Sequence, residues 1–410
     1  MSGAINGTDR RKLNRTSRPI QVHDLLSKWV SVAVVACLSA PTIVTSQVAF
    51  VNGPGGIDHS TVVGLSADGR FGTGSGVLQQ GSGVPIWGFT FDRVSNIRTD
   101  FTRTGTNFGA GSWGISGDGR WCVGEYQGPP VPNAFQAYRW STETGLQFLG
   151  NIGRNTDAAA RRASYDGATV AGEVSQIFRG RRFRTAFRWT ETGGMSAIPF
   201  LPGTDDAYVN GLSSDGNVVV GTSIGGFGYG FRWTAQTGTL RLPGSSLAPF
   251  SQGEALSADG QYAVGVVAGP SGTAASARWL GTSAPQILPH AAGFIGSGAL
   301  AVSGDGRIVG GRMYGNPGLE PRGYASVWTE ATGMLILEDY LALFGVIAPT
   351  DFDFEDVNAI SADGLTFAGD GRNALGSSHG WVAHVPGPGT LVGVGVAALF
   401  AARRRRPPTL

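Results

Sequence analysis

The sequence predicts an all-β fold, a seven-bladed β-propeller of four-stranded blades, and three observations carry that reading. A Ser-x-Asp-Gly unit recurs seven times in 410 residues, another glycine stands six residues after each of its aspartates, and successive aspartates are 44 to 58 residues apart. A period of about 40–50 residues is that of a propeller blade, one supersecondary unit that buries its apolar face only against its neighbours.

The units are Ser66-Ala67-Asp68-Gly69, Ser116-Gly117-Asp118-Gly119, Ser164-Tyr165-Asp166-Gly167, Ser213-Ser214-Asp215-Gly216, Ser257-Ala258-Asp259-Gly260, Ser303-Gly304-Asp305-Gly306 and Ser361-Ala362-Asp363-Gly364. An apolar residue precedes each serine (Leu65, Ile115, Ala163, Leu212, Leu256, Val302, Ile360). A short β-type run such as Val218-Val219-Val220 follows, ending on Gly74, Gly124, Gly172, Gly221, Gly265, Gly311 or Gly369. Strand, Asp-Gly turn and strand make a hairpin, whose turn is either type I′ or type I with a G1 bulge, because both need a residue at positive φ.

About 18 to 23 residues past each aspartate a third strand ends on an aromatic residue, as in Ala137-Tyr138-Arg139-Trp140, Ala186-Phe187-Arg188-Trp189, Gly230-Phe231-Arg232-Trp233 and Ser276-Ala277-Arg278-Trp279. The first copy ends on Phe91, the sixth on Trp328 and the seventh on Trp381. A Thr-Gly turn (Thr144-Gly145, Thr192-Gly193, Thr237-Gly238, Thr332-Gly333) leads to a fourth apolar strand, such as Leu146 to Leu149. The last copy stops after Trp381-Val382-Ala383, whereas the run Gln47-Val48-Ala49-Phe50-Val51 belongs to no copy. That N-terminal strand is expected to complete the last blade, closing the ring and removing its exposed sheet edges.

Composition agrees with a turn-rich domain that has a sizeable core: 66 glycines, 15% charged residues, yet 41% hydrophobic residues with ten Trp and 21 Phe. Residues 1–46 hold six basic and two acidic side chains and residues 386–410 hold four arginines and no acid, so 47–385 keeps 21 basic against 27 acidic residues, net −6. The basic charge therefore sits at the two ends and does not describe a nucleic-acid surface. Of the two cysteines, Cys37 lies in the segment expected to be removed, which leaves Cys122 without a disulfide partner in the mature chain.

Residues 1–46 have the order of a secretory signal peptide: Arg10, Arg11, Lys12, Arg15, Arg18 and Lys28, an apolar run from Trp29 to Ala40, and small residues around Val44-Thr45-Ser46. Two other readings stay open there. Val34-Val35-Ala36-Cys37 has the form of a lipobox that acylates Cys37, and Arg10-Arg11 that of a twin-arginine signal. Residues 386–410 combine Pro386-Gly387-Pro388, an apolar segment from Val392 to Ala402, expected as a hydrophobic helix, and Arg403 to Arg406. A positive cluster after an apolar run is a topological stop.

Two family resemblances rest on these motifs. The tail is similar to the PEP-CTERM sorting signal of Gram-negative envelope proteins, with Gly387 in place of the usual Glu and Gly389 in place of the small polar residue before Thr390-Leu391. It implies export machinery and an exosortase-type protease as partners, with the inner membrane crossed by the C-terminal segment. From near residue 60 to 385 the chain resembles the extracellular HAF-type repeat family, in Ser-x-Asp-Gly, the following Gly, Ala-Phe-Arg-Trp as at Ala186 to Trp189, and Thr-Gly. A short Leu-rich helix before the last repeat, here Leu337 to Phe344, fits the same family, while Val327 and Gly380 stand where it has Arg. The resemblance implies a cell-envelope or secreted protein with no set activity.

No catalytic, cofactor-binding or metal-ligating residue is assigned, and no cofactor is expected. The seven aspartates read as turn formers, since one carboxylate per hairpin lacks the oxygens calcium needs. The acidic run Asp351, Asp353, Glu355 and Asp356 reads as a solvated loop, as does the basic cluster Arg179, Arg181, Arg182 and Arg184. Arg139, Arg188, Arg232 and Arg278 read as structural contacts between blades. His59, His290, His379 and His384 are scattered, and no Gly-x-Ser-x-Gly, His-Glu-x-x-His or phosphate-binding loop is present. The expected function is a non-enzymatic, exported structural or interaction module that meets an extracellular polysaccharide or protein through its loops. The alternative is a glycan-acting enzyme on the same scaffold, which requires non-repeated polar residues converging on the central channel.

Overall fold

A computed structural model describes residues 48–51, 58–78, 86–101, 109–128, 131–153, 157–315 and 322–387. The expected signal segment 1–46 and all but the first two residues of the tail 386–410 lie outside them, together with Cys37 and the C-terminal hydrophobic helix. Among the described residues no helix is long and apolar enough to cross a membrane.

Seven antiparallel sheets of four strands each follow one another along the chain. Their innermost strands are Asp58–Leu65, Ala110–Ile115, Asp157–Ala163, Asp206–Leu212, Ser251–Leu256, Gly296–Val302 and Phe352–Ile360, and each packs beside the next around a central channel. We number the blades 1 to 7 in that order. Blades 1 to 6 run inner to outer as simple meanders. Blade 7 has three consecutive strands, Phe352–Ile360, Thr366–Asn373 and Ser378–His384, and takes Val48–Val51 as its outer strand, in the register Val48 to Ala383 through Val51 to Gly380.

The closing strand shows the period of two that its sequence predicts. Val48 and Phe50 pack into the core between blades 6 and 7, where the Phe50 and Phe352 rings lie 4.6 Å apart. Ala49 and Val51 face the core between blades 7 and 1. The Ser60 hydroxyl of blade 1 donates to Val51 O at 2.7 Å and accepts from Gly380 N–H at 3.0 Å, tying the seam. A short helix, Leu337–Ala342, buries Leu337, Tyr340 and Leu341 between blades 6 and 7 and accounts for the longest repeat interval.

The Ser-x-Asp-Gly units join the first and second strands of every blade. The glycine N–H donates to the serine carbonyl, its φ lies between +64° and +76°, and no x or Asp residue has positive φ. This is the type I turn followed by a left-handed glycine, not type I′. In all seven, the buried serine hydroxyl donates to the aspartate at 2.5–2.7 Å and accepts the N–H five residues on at 2.9–3.0 Å, while the aspartate accepts the N–H two residues on at 2.9–3.0 Å.

The turns also hold the ring together. Backbone N–H groups donate to the x-residue carbonyl of the following blade, from Ala67 to Gly117, Asp118 to Tyr165, Tyr165 to Ser214, Ser214 to Ala258, Ala258 to Gly304, Gly304 to Ala362 and Ala362 back to Ala67, at 2.8–3.1 Å. The guanidinium groups of Arg139, Arg188, Arg232 and Arg278 reach across to the turn-glycine carbonyl of the next blade, at Gly167, Gly216, Gly260 and Gly306, over 2.7–3.2 Å. Those arginines are interblade clasps.

Candidate functional site: the central channel

Each innermost strand carries a β-bulge at an equivalent position, and that of blade 7 has a second irregularity between Phe354 and Asp356. The register slips between Val62 and Gly64, Ser112 and Gly114, Ala160 and Arg162, Val209 and Gly211, Gly253 and Ala255, Ala299 and Ala301, and Val357 and Ala359. The second repeated glycine explains why the bulge is tolerated. A Cβ on Gly74, Gly124, Gly172, Gly221, Gly265, Gly311 or Gly369 would lie 1.8–2.0 Å from a carbonyl oxygen of the bulged strand, five residues before the serine. Only glycine lets the two backbones meet there.

A bulge leaves one residue out of the ladder and re-aims its side chain. The seven freed residues are Val63, Trp113, Arg161, Asn210, Glu254, Leu300 and Asn358, and all seven line one cavity of about 290 Å³ on the channel axis. Toward the Ser-x-Asp-Gly end this chamber continues into a collar made by the apolar residues before each serine and by the x residues. The chamber itself is uneven. Blades 3 to 5 give it Arg161, Arg162, Asn210 and Glu254, whereas blades 6 to 1 give it Leu300, Asn358 and Val63.

Blade 3 carries the densest charge. Arg161 donates from Nε and Nη2 to Glu173 Oε1 at 2.9 and 2.5 Å and lies over the Trp113 ring at 5.0 Å. Burial raises the Glu125 carboxyl nearby, against the pull of Arg161. Arg162 occupies a position that is Gly or Ala in the other six blades. Its Nη1 donates to Trp113 O and Arg161 O, both at 2.9 Å, and no carboxylate among the described residues comes within 4 Å of it. Burial pulls its guanidinium down to about 10. Across the chamber Glu254 accepts from Asn210 Nδ2 at 3.1 Å, and burial pushes its carboxyl up to about 7 despite Arg162 and Arg312. At the wall Arg184 and Asp206 form a two-point pair at 2.9 and 3.0 Å. Asn358 Nδ2 donates to Asp370 Oδ1 at 2.6 Å.

Two sequence expectations change in detail. The acidic residues Asp353, Glu355 and Asp356 lie on the first strand of blade 7, not in a loop, and each pairs with an arginine: Arg322, Arg372 at 3.0 Å and Arg312 at 2.6 Å respectively. In the basic cluster, Arg181, Arg182 and Arg184 form the start of a strand and pair with Asp205, Asp157 and Asp206. No group of three or more His, Cys, Asp or Glu that could hold a metal occurs among the described residues. Cys122 is buried, and burial pushes its thiol up to about 12.

From the sequence a ligand is expected on the loops, the channel enters only for the enzymatic alternative, and the residues that line the chamber are not singled out. The signal is in two columns: three residues before each serine the copies read Val, Trp, Arg, Asn, Glu, Leu and Asn, and two residues before it Arg162 stands in a column otherwise of Gly and Ala.

No family model matches the chain, and no curated protein does. Among solved structures it is similar to a TolB protein of Agrobacterium tumefaciens, with 19% identity and TM-score 0.42, covering 72% of this chain and 97% of that one. TolB of Acinetobacter baumannii gives 14% identity and TM-score 0.40, covering 77% of this chain and 81% of that one. The propeller assignment rests on the strand pairing itself.

Proposed function

We propose that the chain is an exported propeller of the cell envelope that acts as a binding module, its ligand held in the central chamber. The observation that carries the binding reading is the division of labour among residues. Seven turns, seven close-contact glycines and the arginine clasps repeat to build a rigid ring, while the seven bulge residues that meet in the channel are the ones that differ. A preorganised frame around a few convergent polar groups is the ordinary form of a small-molecule site.

Export is supported by the basic-then-apolar order of residues 1–46 and by the Pro-x-Pro, apolar and arginine order of residues 386–410, with processing by an exosortase-type protease as its consequence. The likeness of residues 60–385 to HAF-type repeats points the same way. An enzymatic role is less well supported: of the two carboxylates on the chamber wall, Glu173 is held by Arg161 at 2.5 Å, leaving Glu254 alone for proton transfer. Fractionation of the native host, with mass spectrometry of the mature termini, tests the location. The expected result is envelope material lacking the first 46 residues; cytoplasmic protein with an intact N-terminus overturns it.

A further inference from the structure

Among the charged residues of the chamber wall, Arg162 and Glu254 carry opposite charges and make no ion pair with each other. Arg162 on blade 3 and Glu254 on blade 5 are both part of its wall, yet they are not within 4 Å of one another, and Asn210 of blade 4 lies between them in the ring. The Asn210 amide uses Nδ2 on Gly253 O and Glu254 Oε2, at 2.9 and 3.1 Å, which leaves its carbonyl oxygen as an acceptor. Arg162 has only Nη1 engaged, on two carbonyls, so its remaining N–H groups have no carboxylate to bind. Burying a charge without a partner is costly, and a ligand that supplies both counter-charges relieves both walls at once.

From this geometry we infer that the chamber binds a free α-amino acid with an aliphatic side chain, its carboxylate on Arg162, its ammonium on Glu254 and Asn210, and its side chain against Val63 and Leu300. The inference rests on the channel being the binding site. The cavity of about 290 Å³ matches the scale: at about 30 Å³ per water it has room for roughly ten non-hydrogen atoms. The arc of blades 6 to 1, with Leu300 and Val63, supplies apolar surface opposite the charged arc. The position of Arg162 in a column otherwise of Gly and Ala makes it an addition to the frame, not a part of it.

The test uses full-length protein at pH 8 with three probes that share one side chain: L-leucine, N-acetyl-L-leucine and L-leucinamide. Binding is read by calorimetry and by the Trp113 indole resonance, assigned with Trp113→Phe. Leucine is expected to bind and to shift Trp113, and loss of either charge is expected to weaken binding by about tenfold or more. Glu254→Gln is expected to lose the preference for leucine over its N-acetyl derivative. Binding of N-acetyl-leucine as strong as leucine, or of all three alike, overturns the amino-acid inference while leaving the channel as the site. If none of the three, nor acetate or a disaccharide, shifts Trp113, both readings fall. The capped probes act on the unmutated protein, so the result does not depend on any variant folding.

Discussion

The close-contact glycines make the sharpest structural prediction, and Gly221→Ala is its cleanest form. An added Cβ would sit 2.0 Å from Tyr208 O and 2.9 Å from the Phe231 ring. Normal contact requires the carbonyl to retreat by more than 1 Å, and that carbonyl belongs to the bulged strand beside Asn210. Overpacking of this kind costs about 3 kcal/mol, and for a ring spanning residues 47–385, with an unfolding entropy of about 0.7 kcal/mol/K, that lowers the melting temperature by roughly 4 °C. Gly109→Ala is the control, because a Cβ there meets nothing within 4 Å and the backbone has ordinary φ; it is expected to stay within about 0.5 kcal/mol of the parent. Scanning calorimetry at one fixed heating rate reads both. Equal melting temperatures for Gly221→Ala and Gly109→Ala would refute the account of the bulge.

Other consequences follow from the ring and its charges. Deleting residues 48–51 removes the outer strand of blade 7 and the buried Val51 side chain, and is expected to cost about 4 kcal/mol and to expose an edge that pairs between molecules; an unchanged melting temperature and a monomeric elution profile would contradict closure. Asp166 is held below its usual range by the Ala168 N–H and the Ser164 hydroxyl, and in Asp68, Asp215 and Asp305 burial raises the carboxyl but the serine and backbone donors together outweigh it. Stabilisation from a lowered carboxyl is complete above about 3.8 and is lost as the pH falls through the folded-state value, so melting temperature is expected to drop steeply in that range and less steeply in Ser164→Ala. An identical slope in the variant would count against the turn network.

Glu254 shows the opposite sign. Its carboxyl is raised from 4.5 to about 7, facing Arg162 from blade 3, Tyr208 from blade 4 and Arg312 from blade 6. A raised group stabilises the fold in its protonated form below about 4.5, and that contribution is lost as the pH rises through 7. Glu254→Gln is therefore expected to match the parent at pH 4.5 and to exceed it at pH 8 by up to about 3 kcal/mol. A variant that is equally stable relative to the parent at both pH values would show that Glu254 is not held in a protonation-sensitive site.

Much of the ring is legible in the sequence because it repeats. The Ser-x-Asp-Gly turn, the third-strand aromatics and the unclaimed run Gln47–Val51 suffice to give seven blades and the closing strand. The reason for the second glycine is not legible, since the carbonyl it must avoid lies on a neighbouring strand thirteen residues back, at Tyr208 for Gly221. The acidic run of blade 7 misleads for a related reason: its partners Arg312 and Arg322 come from blade 6, and only the ring brings them opposite. Reading for what recurs also passes over the channel residues, because Arg162 and Glu254 depart from the pattern around them.

One comparison tests the central claim that the repeated frame supplies stability and the bulge residues supply binding. Ser257→Ala removes the hydroxyl that holds Asp259 and the Tyr262 N–H, in the turn three residues beyond Glu254, whereas Glu254→Gln alters a wall and leaves the turn intact. L-leucine affinity of both variants, measured by calorimetry well below their melting temperatures, is expected to be parental for Ser257→Ala, despite its lower melting temperature, and about tenfold weaker or more for Glu254→Gln. Parental affinity in Glu254→Gln, or an equal loss in both, would contradict the division on which the account stands.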